Sequence, residues 1–248
     1  ENLLKDTIGG TFSNELIANA DSSPDDQSAE SGAKYSERPE PFYYVSVDIK
    51  EHRSLPEALD KFISGETVDF AWESKDEDGN VSKINLPTTK QISIKTLPQH
   101  LLIHLKRFEF DFETLQQVKI NSRFEFPENL DMFAYTKEGR QAGQGRAPME
   151  ESRERADDDD EEDETKDLPR PRWYYQYRLS GVVVHAGTAN SGHYYSFVRA
   201  RGCDSWYEFN DTVVTPFAVS NLEADCFGGE EAGAAGQQVP SADIPPTT

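Results

Sequence analysis

The feature that most constrains the fold is an unbroken run of eight acidic residues, Asp157–Glu164. Residues 150–167 contain twelve acids against three bases. Like charges at this density repel one another and cannot be buried together in a core. The segment 136–171 is therefore predicted to be a disordered insertion that separates two folded parts of the chain. Residues 228–248 are rich in Gly, Ala, Gln and Pro without periodicity, and are predicted to be a disordered tail.

Charge and cysteine content exclude several classes of protein. The 248 residues include 46 acids and 25 bases, a net charge of −21. Non-specific binding to nucleic acid needs a basic surface and is not expected. No apolar run is long enough to cross a membrane. Only Cys203 and Cys226 are present, too few for a disulfide scaffold or a multi-cysteine zinc domain. A cytoplasmic or nuclear location is expected, since no signal peptide is visible either.

The remaining sequence has mostly the pattern of β-strands. Residues 20–41 are rich in Ser, Asp and Pro and are predicted to be loose. One helix is predicted at Leu55–Ser64, where Ser54 and Glu57 form a capping box, and a short one at Ala218–Asp225. Strands are predicted at Phe42–Ile49, Gln91–Lys95, Leu101–Phe110, Val118–Phe126, Tyr174–His185, Gly192–Ala200 and Ser205–Asn210. Few helices and no βαβ alternation indicate an α+β fold with mainly antiparallel strands.

One predicted hairpin contains residues suited to proton transfer. His193 begins one strand and Asn210 closes its partner, so antiparallel pairing places both side chains at the same end of the ladder. An Asn that fixes the imidazole tautomer leaves the other ring nitrogen free to take a proton. Gly192 lets backbone and substrate approach closely. Spacing alone also allows a purely structural role for His193. His185, at the end of an apolar strand, is expected to brace the core or the loop.

Several segments, in a fixed order, resemble the ubiquitin-specific protease family, and its large members most. The histidine box of that family resembles YRLSGVVVHAGTANSGHYYSFVRA followed by WYEFNDTVVTPF. Other matching segments are GGTFSNEL, PFYYVSVDIKEHRSLPEALDKFISGE, ISIKTLPQHLLIHLKRFEFD and INSRFEFPENLDMFAYT. The resemblance implies a papain-like cysteine-peptidase hand with an antiparallel palm and fingers, incomplete here because the thumb has no counterpart.

The resemblance implies a division of the chain and a role for each site residue. Residues 1–135 match the fingers and part of the palm, 136–171 the position of the first blocking loop, and 172–227 the palm with the histidine box, with 228–248 as a tail. His193 matches the general base, Asn210 the residue that orients it, and Asp211 the adjacent acid. Residues that match the second blocking loop and its flank, and so would contact the ubiquitin tail, are Ala186, Gly187, Ser191, Gly192 and Tyr194.

The sequence departs from the family pattern at two places. No Gly-Asn-Thr-Cys box is present, and neither Cys203, in the hairpin turn, nor Cys226 has a base placed beside it. We expect the thumb segment with its Cys box to be missing, and this chain alone to be inactive. The two Cys-x-x-Cys pairs of the fingers are also absent, so no metal and no cofactor are expected.

Two functions are consistent with these observations. In the first, the chain supplies the general base and ubiquitin-binding surfaces, but not the nucleophile, for thiol-dependent hydrolysis at the ubiquitin C-terminus. Its partners are then ubiquitin and ubiquitinated proteins. In the alternative, the chain is a catalytically dead module that binds ubiquitin or another partner. Because the thumb is expected to be missing, we also expect an exposed apolar patch on the palm, where thumb helices would otherwise lie.

Overall fold

The computed structural model describes residues 2–18, 34–75, 80–144 and 168–229. The helices are α1 (Leu3–Ile8), α2 (Leu55–Ile63), α3 (Lys137–Gln144) and α4 (Leu222–Cys226). The strands are β1 (Gly10–Ala18), β2 (Tyr35–Phe42), β3 (Val45–Val47), β4 (Glu66–Lys75), β5 (Val81–Thr96), β6 (Ile103–Leu105), β7 (Phe108–Asp111), β8 (Gln116–Lys119), β9 (Asn129–Asp131), β10 (Gln176–Arg178), β11 (Gly181–Gly187), β12 (Gly192–Arg199), β13 (Trp206–Asn210) and β14 (Val213–Phe217). The predicted α+β class, with mainly antiparallel strands, is confirmed.

The chain divides into two compact units. The first contains residues 1–47, 59–104 and 129–177, and the second contains residues 48–58, 105–128 and 178–248. Each unit has one four-stranded sheet, ordered β2-β1-β5-β4 in the first and β11-β12-β13-β14 in the second. We call them the fingers sheet and the histidine sheet. In the described residues, no helix is long and apolar enough to cross a bilayer.

The fingers sheet includes a strand that the composition did not predict. All of β2 except Phe42 lies within residues 20–41, expected to be loose, and the strand pairs with β1 from Gly10↔Phe42 to Ile17↔Tyr35. Its prolines, Pro39 and Pro41, are two residues apart, so both lack an N–H on the same side of the strand. An edge strand tolerates this because that side needs no ladder partner. Residues 19–33 lie outside the described residues.

One face of the fingers sheet packs against α3 through charged groups. Lys137 Nζ lies 3.1 Å from Glu15 Oε1 and 2.6 Å from Glu37 Oε2. The hydroxyl of buried Thr136 accepts a hydrogen bond from Gly139 N at 3.0 Å and so caps the helix. This part of segment 136–171 is therefore helical rather than disordered, because contacts with a distant strand stabilise it. Residues 145–167, with the acidic run, lie outside the described residues.

The histidine sheet has an apolar core on one face. Phe197 and Trp206 pack there with Leu222, Cys226 and Phe227 from α4 and the residue after it. A 3₁₀ turn at Val219–Asn221 precedes α4, so the predicted helix at Ala218–Asp225 is present in two pieces. The opposite face stays exposed and carries the apolar side chains Val183, Val198, Phe209 and Val214.

Candidate active site

His193 and Asn210 meet at one end of the histidine sheet. Nε2 of His193 lies 2.6 Å from Oδ1 of Asn210. The amide nitrogen of Asn210 donates to Glu208 Oε1 at 3.3 Å. Because a carboxylate can only accept a hydrogen bond, Glu208 turns the Asn210 oxygen toward the imidazole. Nε2 of His193 then carries the proton, and Nδ1 is left as the basic nitrogen.

The register of two strands explains why the two side chains meet. β12 and β13 pair from Ser196↔Phe209 to Arg199↔Trp206. Continuing this ladder by alternation places His193 and Asn210 on the same face as Phe197. His193 is exposed at the strand end, whereas Asn210 is half-buried. The imidazole is therefore open to solvent, whereas the side chain that contacts it is partly covered.

Asp211 is placed differently from its neighbour. The pair Asn210↔Val213 closes a two-residue hairpin loop, and Asp211 occupies it with a φ of 51°. Asp tolerates this left-handed conformation better than most residues. Its exposed side chain makes no hydrogen bond or ion pair with the described residues. The structure thus does not bring Asp211 into contact with His193, and its role remains a prediction.

The loop before His193 is a tight turn between β11 and β12. Thr188 N donates to Ser191 O at 2.8 Å, and Gly187 has a φ of 120° that few other residues adopt. The strand pairs Ala186↔His193 and Gly187↔Gly192 place this loop directly beside His193. Four of the five predicted substrate-contact residues belong to this loop and its ends, and all four are exposed: Ala186, Gly187, Ser191 and Gly192.

Tyr194 is the fifth predicted contact residue, and it lies on the other face of the sheet from His193. It is 61% exposed, and its ring centroid is 4.6 Å from that of His185. A substrate that contacts His193 would therefore reach Tyr194 only around the edge of the loop. His185 itself is half-buried, as its predicted bracing role requires, and its Nδ1 has no polar partner among the described residues. Burial, and the charge of Lys119, lower the pKa of His185.

Two residues near the site were not anticipated from sequence. Glu208 orients Asn210, and Lys119 donates hydrogen bonds to the carbonyls of His185 and Gly187. Glu208 could have been found, because strand alternation places it two residues from Asn210 on the same face. Lys119 could not, since 66 residues separate it from His185.

Neither cysteine is placed to act with His193. Cys226 is buried in the core, and burial, with the charge of Asp225, raises the pKa of its thiol to about 12. Cys203 is exposed in the turn beyond Arg199. The strand from His193 to Arg199 spans about 20 Å at about 3.3 Å per residue. Among the described residues, no cluster of three or more His, Cys, Asp and Glu is arranged to hold a metal ion.

Comparison with known proteins identifies the family. A family model for "Ubiquitin carboxyl-terminal hydrolase" matches residues 1–235. The chain belongs to this ubiquitin-specific protease family. It is 36% identical over 238 residues to the probable ubiquitin carboxyl-terminal hydrolase FAF of Drosophila melanogaster, covering 93% of this chain and 8% of that protein. It is 33% identical over 235 residues to ubiquitin carboxyl-terminal hydrolase 24 of Mus musculus, again covering 93% of this chain and 8% of that protein.

Solved structures of ubiquitin-specific proteases share the fold. The Ubp8/Sgf11/Sus1/Sgf73 module of SAGA bound to ubiquitin aldehyde aligns with a TM-score of 0.60 at 23% identity, over 90% of this chain and 40% of that chain. At this identity the likeness establishes the fold only. The predicted family, the similarity to its large members and the fold class are confirmed. The chain spans less than a tenth of the length of these curated relatives.

Proposed function

We propose that this chain belongs to a thiol-dependent deubiquitinase, in which it supplies the general base and surfaces that bind ubiquitin. The bond cleaved is an isopeptide or peptide bond at the C-terminus of ubiquitin. The observation that carries the proposal is the contact of 2.6 Å between His193 Nε2 and Asn210 Oδ1. With Glu208 fixing the amide of Asn210, His193 presents an unprotonated Nδ1 at an exposed strand end.

In this proposal His193 transfers protons in both half-reactions. Nδ1 takes the proton from a cysteine thiol, and the thiolate attacks the carbonyl carbon of the scissile bond. The imidazolium, held by Asn210, then gives that proton to the leaving amine as the C–N bond breaks. A water molecule, deprotonated by the same nitrogen, hydrolyses the resulting thioester and regenerates the thiol. The exposure of Cys203 in the turn after β12 and the burial of Cys226 support a thiol supplied by another residue.

The loop Ala186–Gly192 is the proposed binding site for the ubiquitin C-terminal tail. Its residues Ala186, Gly187 and Ser191 are exposed, and Gly192, also exposed, directly precedes the general base. Solved relatives support this choice of partner, since one is described as bound to ubiquitin aldehyde and another as bound to monoubiquitin. Ubiquitin and ubiquitinated proteins are thus the proposed partners, with no role for nucleic acid or a membrane. The cytoplasm, the nucleus or both are the proposed locations.

The test is hydrolysis of a fluorogenic ubiquitin C-terminal amide by the native protein that contains this segment. His193→Ala is expected to lower kcat by about 10²–10⁴-fold, the usual contribution of a general base. Asn210→Ala is expected to lower it by less, because the imidazole stays but loses its fixed tautomer. His100→Ala is the matched control, since its exposed side chain makes no polar contact with the described residues. Full activity in the His193→Ala variant would reject the proposal.

A second function is a ubiquitin- or partner-binding module without catalysis. The observation that favours it is that neither cysteine makes a polar contact with His193 among the described residues, since Cys203 is exposed in a turn and Cys226 is buried. Isothermal titration of the chain with ubiquitin separates the two functions when combined with the hydrolysis assay. Binding together with an inactive native protein supports the module, whereas hydrolysis that depends on His193 supports the enzyme.

A further inference from the structure

We propose that Lys119 is a positioning residue, which sets the conformation of the loop Ala186–Gly192 and through it the location of His193. Its Nζ donates to His185 O at 2.7 Å and to Gly187 O at 3.1 Å. The inference rests on the proposed function only in its consequence for catalysis. The structural part of it concerns β8, β11 and β12 and can be tested separately.

The two carbonyls that Lys119 binds are those that strand pairing leaves unpaired. β11 is at the edge of the histidine sheet, with β12 on its other side. Alternate residues of an antiparallel edge strand direct their backbone groups away from the neighbouring strand. His185 and Gly187 are two residues apart, so their carbonyls share the open side. Lys119 therefore closes the edge of the sheet at the point where the loop begins.

The same hairpin that carries Lys119 also holds the His185 side chain. Phe108 pairs with Lys119 across β7 and β8. The rings of Phe108 and His185 are 5.1 Å apart and nearly perpendicular. On the opposite side, a Cβ on Gly192 would lie 2.2 Å from His185 Nε2, so the ring occupies space that only glycine leaves free. Backbone and side chain at position 185 are thus both fixed by β7 and β8.

The surroundings of Lys119 favour hydrogen bonds to backbone carbonyls over a salt bridge. Lys119 is half-buried, and burial lowers its pKa, with a further contribution from the charge of Arg107. Arg107 donates to the carbonyls of Ile120, Ser122 and Phe227. In the part of the chain that the structure describes, neither cation pairs with a carboxylate. Two partly buried cations in a chain of net charge −21 are therefore used entirely to bind backbone oxygens.

The consequence for His193 follows from the strand register. Ala186 pairs with His193, and Gly187 pairs with Gly192. The loop end is thus held by Lys119 on one side, and the imidazole by Asn210 on the other. Without the ammonium, the two carbonyls lose their partner and the loop can shift along its edge. The distance between His193 and Asn210 would then vary.

The first test measures amide hydrogen exchange in the 248-residue chain. Lys119→Met, which retains the aliphatic stem, is expected to speed exchange of the Thr188 amide, which donates to Ser191 O within the loop, by about tenfold or more. Amides of β12 beyond Tyr195 are expected to stay unchanged. Lys119→Arg restores the donors and should restore protection. Lys83→Met is the matched control, because Lys83 is exposed and makes no polar contact with the described residues.

The second test links the loop to His193. In ¹⁵N spectra of the imidazole, wild-type His193 should show a protonated Nε2 and a free Nδ1. Lys119→Met should shift both resonances toward tautomer averaging, an effect that mere loss of stability would not produce. Should Lys119→Met fail to fold, Lys119→Gln replaces it in both measurements. Unchanged exchange in the loop, or an equal rise across the whole sheet, overturns the proposal.

Activity assays in the native protein separate this proposal from the proposed function. If His193→Ala abolishes hydrolysis, Lys119→Met is expected to lower kcat by about tenfold with little change in KM, and Lys119→Arg to recover most of it. If His193→Ala leaves hydrolysis intact, the proposed function fails, and the exchange and ¹⁵N results alone decide whether Lys119 positions the loop. Loss of activity without a change in loop exchange would overturn the positioning role.

Discussion

The two four-stranded sheets differ in strand order and, more strongly, in chemistry. Both are antiparallel, but the fingers sheet buries charges on one face, where Glu15 and Glu37 surround Lys137. The histidine sheet buries aromatic side chains around Phe197 and places its polar pair at the strand ends. Charges in the middle of a sheet mainly hold another element in place. A polar pair at the end of a sheet keeps one side open, and can therefore meet a substrate.

The first prediction concerns the apolar core of the histidine sheet and has the largest expected effect. Phe197→Ala should lower the free energy of unfolding of the second unit by about 3–5 kcal/mol, because it leaves a cavity beside Phe217 and Trp206. Urea denaturation monitored by Trp fluorescence measures the loss. Val183→Ala is the control on the exposed face of the same sheet, where less than about 0.5 kcal/mol is expected. Equal losses for the two variants would contradict the described core.

The second prediction concerns the buried charges of the fingers sheet. Lys137→Met should cost about 2–4 kcal/mol, because Glu15, with its side chain only 8% exposed, loses the cation that offsets its burial. Thermal denaturation measures the change, and adding Glu15→Gln should recover part of it. Lys90→Met removes an exposed pair with Glu66 in the same sheet and should cost less than about 1 kcal/mol. A neutral Lys137→Met would show that α3 is held by other contacts.

The third prediction compares one glycine from each unit. Gly192→Ala should destabilise the histidine sheet by about 1–3 kcal/mol, because the new methyl group would overlap His185 Nε2 and the carbonyl of Ala186. Gly143→Ala, at an open position in α3, should instead stabilise the chain by about 0.5–1 kcal/mol. Differential scanning calorimetry distinguishes the two signs. A Gly192→Ala variant as stable as the wild type would mean that the His185 ring can move away from residue 192.

The fourth prediction concerns folding stability at low pH, where we expect the smallest effects. Hydrogen bonds from Lys137, Lys95 and Ser13 lower the pKa of Glu37 from 4.5 to about 2. Its folded pKa lies below the unfolded value, so its contribution is present above pH 4.5 and is lost as the pH falls toward 2. We expect about 1 kcal/mol or less, since Lys95 is substantially exposed. Glu37→Gln should remove this part of the acid dependence, measured by denaturation between pH 6 and 2.5.

Asp225 in the second unit should respond with the opposite sign. Burial, followed by the charge of Glu208, raises the pKa of Asp225 above 3.8. Because the folded state disfavours the charged form, acidification through the raised pKa relieves a penalty and favours folding. Carboxyl ¹³C titration by NMR, with Asp225→Asn as the control, measures this contribution. A pKa below 3.8 for Asp225 would contradict its described burial.

Local pattern was enough to predict much of the histidine sheet. The contact between the side chains of His193 and Asn210 follows from counting residues in one hairpin. Residues far away in the sequence are not needed to predict it. The fingers sheet was harder, because β2 contains prolines that the composition assigns to loops, and only the pairing with β1 defines it as a strand. α3 has a polar sequence, and it is held by Arg140 donating to Gln91 Oε1 at 2.7 Å and by the contacts of Lys137. Such contacts between distant residues leave no periodic trace in sequence.

Because only one of the two cysteines is exposed, the hairpin formed by β12 and β13 can be labelled at a single site without mutation. At neutral pH the Cys226 thiol, with its pKa near 12, is both shielded and protonated. Cys203 is exposed in the turn that joins β12 to β13. A maleimide dye or spin label would therefore attach at Cys203 alone, in the turn between the two strands that carry His193 and Asn210 and at the opposite end from these residues. A probe placed there would report on the order of this hairpin when ubiquitin is added, without occupying the site itself.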